Sequence, residues 1–287
     1  MQPLLPSVSA QSSFVDTQAL MVDCLDACAG ALTAAKKDEP ALYIDLEGVR
    51  LSRYGSVSIL QIYVPYLSLI YLIDVNGLGM KAFSTACRMG RTLKSILEDS
   101  SVIKAFFDVR NDSDALYAHF QVRLQGVYDI QLMEFATRCR SSGDYVRGLA
   151  KCIEYHCMLD DAEKDMRRGI KEKGRALFVP ECGGSYEVFN ERPLNRDIWE
   201  YCVQDVTMLP ILWKYYNSRL RYVWKETVRL ESEHRIQESQ SEGYCPDGRD
   251  KCRGPWDAML YYVCHVKLPE HIVQAKARRR MKPCKLS

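Results

Sequence analysis

No apolar run in this chain reaches the roughly 18 to 20 residues that a membrane-crossing helix requires. The longest lies around Leu67 to Val75 and contains Asp74, so no membrane span is expected. A dominant charge is equally lacking: 39 basic against 37 acidic side chains leave a formal +2. The molecule as a whole therefore has no field strong enough to announce a polyanionic partner, and any nucleic-acid site has to be a local patch. No internal repeat occurs at any period between about 20 and 50 residues. No secretory signal precedes the twelve cysteines, which are scattered through segments that read as helices and strands. A reducing intracellular compartment, nucleus or cytoplasm unspecified, is expected rather than a disulfide framework.

What is present is the balance of an ordinary globular protein. Hydrophobic residues make up 47% and charged residues 26% of 287 positions, enough for one α/β core with terminal additions. Residues 1–14 carry Pro, Ser and Gln without period and read as a flexible leader. Helical spacing of apolar residues predicts a helix over 16–35 (Met21, Val22, Leu25, Cys28, Ala29, Leu32). Residues 41–46 (ALYIDL) form a nearly continuous apolar run with its acid at the end, as in a central strand covered on both faces. Strands at 56–64 and 69–75 follow, joined by a short turn that favours antiparallel pairing. Further on, the spacing predicts helices at 91–99 and 111–120 and short strands at 102–107 and 127–130. The result is a mixed five-stranded sheet flanked by helices.

Beyond residue 132 the pattern is mostly helical, with a loop expected from Gly174 to Pro193 and a last core helix over 196–216. Pro210 predicts a kink or an early end there. The domain organisation read in this way is a catalytic unit over 15–222 and a C-terminal extension over 223–287. That extension is partly helical and ends in a basic tail of Lys276, Arg278, Arg279, Arg280, Lys282 and Lys285. The tail suits nuclear targeting, nucleic-acid contact or simple solubilisation.

Three short segments concentrate acidic chemistry. Asp45-Leu46-Glu47 ends the first central strand, and alternation points both carboxylates to one side, where their repulsion calls for a cation. The triplet is frequent, however, and strand-end charge alone accounts for it. In residues 104–116 (KAFFDVRNDSDAL) a strand turns into a helix, and Asn111 or Asp112 serves equally as a helix starter or as a ligand. Tyr201 and Asp205 stand four residues apart on one helix face, as in any surface Tyr–Asp hydrogen bond.

Taken together, IDLEG at 44–48, KAFFDVRNDSDAL at 104–116 and YCVQD at 201–205 resemble the DEDD superfamily of 3′–5′ exonucleases. The tyrosine subgroup matches, with its ribonuclease D and Werner-type domains, and the stand-alone Egalitarian-like eukaryotic members are most similar. YDIQL at 128–132 and Arg192-Pro193-Leu194 agree as well, over about residues 20–220. One departure is Phe107, where the family often has His.

The resemblance implies a ribonuclease H-like α/β fold with extra C-terminal helices and hydrolysis at nucleic-acid 3′ ends, RNA mildly favoured. It implies two Mg²⁺ or Mn²⁺ ions roughly 3.5–4 Å apart, with Asp45 bridging them. Glu47 and Asp205 complete the site of one, Asp112 holds the other directly or through a water, and Tyr201 orients the attacking water. For the substrate end, Leu46 is read as a wedge against the terminal base, and Tyr54, Phe106 or Phe107 as stacking or packing groups. Lys164, Arg167, Arg168, Lys171, Lys173 and Arg175 are read as phosphate contacts, with a solvated helix face as the competing account. The rival function is a non-catalytic nucleic-acid-binding adaptor on the same fold, against which the intact set of five residues argues. A homo-oligomer is compatible with either.

Two other groupings carry less. Cys245, Cys252, Cys264 and His265, with His271 beyond, lack the tight C-x2-4-C pairs of most structural zinc sites. Cys152, His156 and Cys157 share one predicted helix, where packing explains them better than nucleophilic chemistry.

Overall fold

The computed structural model describes residues 10–36, 38–138 and 145–256. Six strands form one sheet: β1 (Gln11–Val15), β2 (Leu42–Glu47), β3 (Ile59–Val64), β4 (Leu69–Asp74), β5 (Lys104–Phe106) and β6 (Val127–Asp129). Their order is β1-β4-β3-β2-β5-β6. The hairpins β2–β3 and β3–β4 are antiparallel; β1, β5 and β6 join in parallel. Ten α-helices are described: α1 (Gln18–Ala34), α2 (Val75–Leu78), α3 (Lys81–Ser84), α4 (Leu93–Leu97), α5 (Arg110–Phe120), α6 (Ile130–Thr137), α7 (Leu149–His156), α8 (Asp161–Phe178), α9 (Arg196–Asn217) and α10 (Tyr222–Ser239). None is long and apolar enough to cross a membrane. All nine cysteines among the described residues are free thiols.

Alternation along β2 divides the molecule into two cores. Leu42, Ile44 and Leu46 point into a cluster with α1, α3, α4 and α5, whereas Tyr43 belongs to a second cluster built on α6 to α9 and the start of α10. Asp45 and Glu47 share the side of Tyr43, and so face α9.

Several expectations need correction. The sheet has six strands rather than five, because residues 11–15, most of them read as leader, pair in parallel with Leu69–Ile73. Their polar QSSFV sequence carries no alternating apolar signal, yet Phe14 packs against Trp199 with ring centroids 5.8 Å apart. The loop expected from Gly174 starts later, since α8 continues to Phe178. Nor does α9 end at Pro210; it runs to Asn217, and proline there forgoes only the hydrogen bond to the Val206 carbonyl. Residues 1–9, the basic tail, Cys264, His265 and His271 lie outside the described residues, while Cys245 and Cys252 are exposed.

The loop between β2 and β3 is tied down by Arg53. Its guanidinium Nε lies 2.6 Å from Oδ1 of the fully buried Asp114 on α5, and its NH2 donates to the carbonyls of Ser239, the last residue of α10, and Ser241 just beyond it. Arg53→Met is expected to lower stability by about 3 kcal/mol, because it strands a buried carboxylate. A urea midpoint equal to that of the wild type would show the pair to be dispensable.

Candidate active site

The three acidic segments meet at the carboxyl end of β2. One carboxylate oxygen each from Asp45, Glu47 and Asp205 lies within 4.8 Å of the others. Asp45 and Glu47 arrive on alternate residues of one strand, and Asp205 from α9, which crosses that face of the sheet. Asp112, in the first turn of α5, is buried and stands outside that 4.8 Å group, but its charge reaches the cluster: it raises Glu47, and Asp45 in turn raises it.

Such crowding has the expected electrostatic cost. Burial, then the charge of Asp205, pushes the Asp45 carboxyl up to about 7, with Lys171 opposing. Glu47 is raised well above the usual carboxylate range by burial, then by Asp45 and Asp205. Asp112 is raised by burial first, then by Asp45 and Asp108. Tyr201 is 8% exposed, and burial followed by Glu47 and Asp205 drives its phenol upward, so it stays protonated at neutral pH.

Among the described residues, the one cation aimed into the cluster is Lys171 on α8, whose Nζ lies 2.9 Å from both oxygens of Asp205 and 4.8 Å from the centre of the Tyr201 ring. A close approach of α8 to α9 makes this reach feasible. A Cβ on Gly174 would fall 2.8 Å from Tyr201 Cδ2 and 2.9 Å from its Cβ, so only glycine lets the two helices meet here. Sequence reading took that glycine for a loop residue and missed its role. Phe178 completes the wall with its ring edge-on to Tyr201 at 5.1 Å.

The other candidates separate cleanly. Leu46 is 2% exposed and Phe106 fully buried, both in the core on the far side of the sheet, so neither wedges nor stacks. Their apolar neighbours on α1 and α5 explain the burial. Phe107 is half-buried on the α9 side, and Tyr54 is exposed on the Arg53 loop. Arg167 shares the inward face of α8 with Lys171 one turn away, whereas Arg168 is exposed and paired with Asp165 at 2.6 Å. Arg168 is therefore a solvated surface residue. Arg192 of the RPL tripeptide forms a two-armed ion pair with Asp74 at the end of β4, which anchors the loop leading into α9.

An all-oxygen set of mutually repelling carboxylates, partly open and only partly neutralised by Lys171, fits a hard divalent cation such as Mg²⁺ or Mn²⁺.

Comparison with known proteins agrees with this geometry. Residues 20–221 match the family described as 3′–5′ exonuclease. The chain is 26% identical to the mouse (Mus musculus) piRNA biogenesis protein EXD1 over 185 residues, 63% of this chain and 30% of that protein. It is 30% identical to the human (Homo sapiens) EXD1 over 124 residues, 43% of this chain and 22% of that one. It thus spans less than a third of the length of these relatives. Among solved structures, Trypanosoma brucei RNase D bound to GMP superposes with a TM-score of 0.63 at 20% identity, over 80% of this chain and 64% of that one. Escherichia coli RNase D gives 0.51 at 20% identity, over 80% and 51%. With a ribonuclease H-like sheet and the family match over most of its length, this chain belongs to the DEDDy-type 3′–5′ exonuclease family, on its EXD1-like side.

Proposed function

We propose that the chain removes nucleotides stepwise from the 3′ end of nucleic acid, RNA preferentially, by two-metal-ion hydrolysis. The observation that carries this reading is the convergence of Asp45, Glu47 and Asp205 within 4.8 Å beside Tyr201. Asp45, Glu47 and Asp205 would hold one ion, and Asp112 with Asp45 the other. Bound there, the ions supply charge to the phosphate oxygens and lower the pKa of a coordinated water. The remaining work falls to the protein's own side chains. Tyr201, kept neutral by its burial and then by its carboxylate neighbours, can donate one hydrogen bond and accept another, as needed to orient an attacking water. Lys171 and Arg167 present positive charge along the α8 wall, where phosphates of an entering strand would run. RNA is favoured because Trypanosoma brucei RNase D was solved with the RNA U12 and the EXD1 relatives are named for piRNA biogenesis.

The test uses oligonucleotides labelled at either end, with Mg²⁺, Mn²⁺ or EDTA. Expected is a ladder of stepwise shortening that retains the 5′ label and disappears on chelation. Binding without shortening in any metal would favour the adaptor instead. Gly174→Ala is expected to slow shortening roughly 10- to 100-fold while leaving helix content intact, because the added methyl displaces Tyr201 or lifts Lys171 away. An unimpaired rate would show that the α8 wall tolerates movement.

A further inference from the structure

The family match ends at residue 221, yet the helix that follows reaches back to the segment that presents Asp112. Arg235 on α10 is 2% exposed. Its NH1 lies 2.6 Å from Asp129 Oδ2, 3.0 Å from Gln131 Oε1 and 3.5 Å from Asp108 Oδ1. Asp129, fully buried at the end of β6, spends its remaining acceptor capacity on backbone. It receives the N–H groups of Asp108 at 2.9 Å, Val109 at 3.2 Å and Gln131 at 3.0 Å. Its own N–H donates to Ser232 Oγ, again on α10.

These contacts bear on a strained turn. Asp108 has φ +62, the left-handed region that a residue with a Cβ enters at a cost. Val109 is the N-cap of α5 and supplies no side-chain cap, so the carboxylate of Asp129 takes N–H groups that the helix start leaves unpaired. Asp112 follows three residues later. The polypeptide after α10 adds contacts on both sides of it: Tyr244 Oη and Lys251 Nζ each donate to Asn111 Oδ1 at 2.8 Å, and Gln240 Nε2 to Ser113 Oγ at 3.2 Å. A helix needing only apolar cover would not require a buried guanidinium, whose desolvation is costly unless its partners are fixed.

We propose that Arg235 is a positioning residue for Asp112: through Asp129 it holds the left-handed turn at Asp108 in the one conformation that delivers the Asp112 carboxylate to the metal cluster. The segment beyond the family-matched region is then part of the working site. This rests on the metal-dependent reading above.

The test is a thermodynamic cycle on the full chain, with Mn²⁺ affinity measured by calorimetric titration for the wild type, R235M, D112N and R235M/D112N. Expected is at least a tenfold loss of Mn²⁺ affinity on R235M when Asp112 is present, less than a twofold change on the D112N background, and recovery of most of the loss in R235K. A general structural defect would instead weaken binding equally on both backgrounds, which would overturn the proposal, as would an R235M that binds like the wild type. If R235M does not fold, D129N/R235Q takes its place in the cycle. That pair removes both buried charges together, and with an amide nitrogen in place of Oδ2 the Val109 N–H loses its acceptor. A wild type that takes up no Mn²⁺ overturns the metal site and this proposal together. Mn²⁺ uptake and the expected coupling without any shortening of oligonucleotides would overturn only the nuclease reading.

Discussion

Asp45→Asn is expected to abolish oligonucleotide shortening, by at least about 10³-fold, and at the same time to raise the melting temperature of the metal-free protein. The first effect follows from removing the carboxylate shared by both proposed ion sites. The second follows from the charge crowding on that face of the sheet. Asp45 sits within 4.8 Å of two other carboxylates, and both its burial and Asp205 disfavour its ionised form. An isosteric amide removes the repulsion, with a gain of about 1–3 kcal/mol, or a few degrees per kcal/mol in a domain of this size. Asp205→Asn is expected to abolish shortening equally but to bring no such gain, because it deprives Lys171 of its partner. Melting curves in EDTA check both. Equal or lower melting temperature for Asp45→Asn would mean that the cluster is relaxed by other means.

The second expectation concerns pH. A carboxyl raised from 3.8 to about 7 in the folded state is protonated there while the unfolded chain has already released its proton. Its stabilising contribution is complete below pH about 4 and is lost as pH rises through about 7. Metal-free protein should therefore weaken steadily between those limits, by up to about 4 kcal/mol from Asp45, and Glu47 and Asp112, raised in the same direction, add to the loss. Other perturbed groups act outside this window. Asp99, held at about 2 chiefly by the Ser101 hydroxyl, acts below it, and Lys104 and Lys251, lowered by burial to about 7 and about 8, act above it. Within it, His156, lowered by burial, works the opposite way and Glu134, raised by burial, the same way. Urea midpoints at pH 5 and pH 8 in EDTA and in Mn²⁺ isolate the cluster, since only the cluster's share is cancelled by the ion. A metal-free midpoint that is higher at pH 8, with no effect of Mn²⁺ on the slope, would contradict this.

The acidic site was legible because its residues obey short-range rules. Two residues along a strand or four along a helix set a shared direction whatever the rest of the chain does, which paired Asp45 with Glu47 and Tyr201 with Asp205; that the pairs belong to one site came from the family resemblance. Leu46 was misread because a strand residue between two site residues points the other way, into the core, and Phe106 at the end of β5 lies in that same core. Phe107, the next residue after Phe106, lies on the α9 side. β1 was hidden by its polar sequence, and the length of α8 by a glycine whose reason lies 27 positions away at Tyr201. Arg235, the pairing of Lys171 with Asp205 and the anchoring of Arg53 have no local signature at all. Each depends on a partner dozens or more than a hundred residues distant, and only the assembled fold names that partner.

The ammonium group resting against Asp205 has a consequence for how the protein is made. A nest of bare acids is a poor seed for a hydrophobic interior, and a newly synthesised chain would otherwise have to wait for its inorganic partner before closing. On the metal-dependent reading proposed above, a tethered counter-ion of its own would let the polypeptide complete its core first and be loaded later, so that scarcity of the ion in the cell would leave an idle but intact molecule rather than an unfolded one.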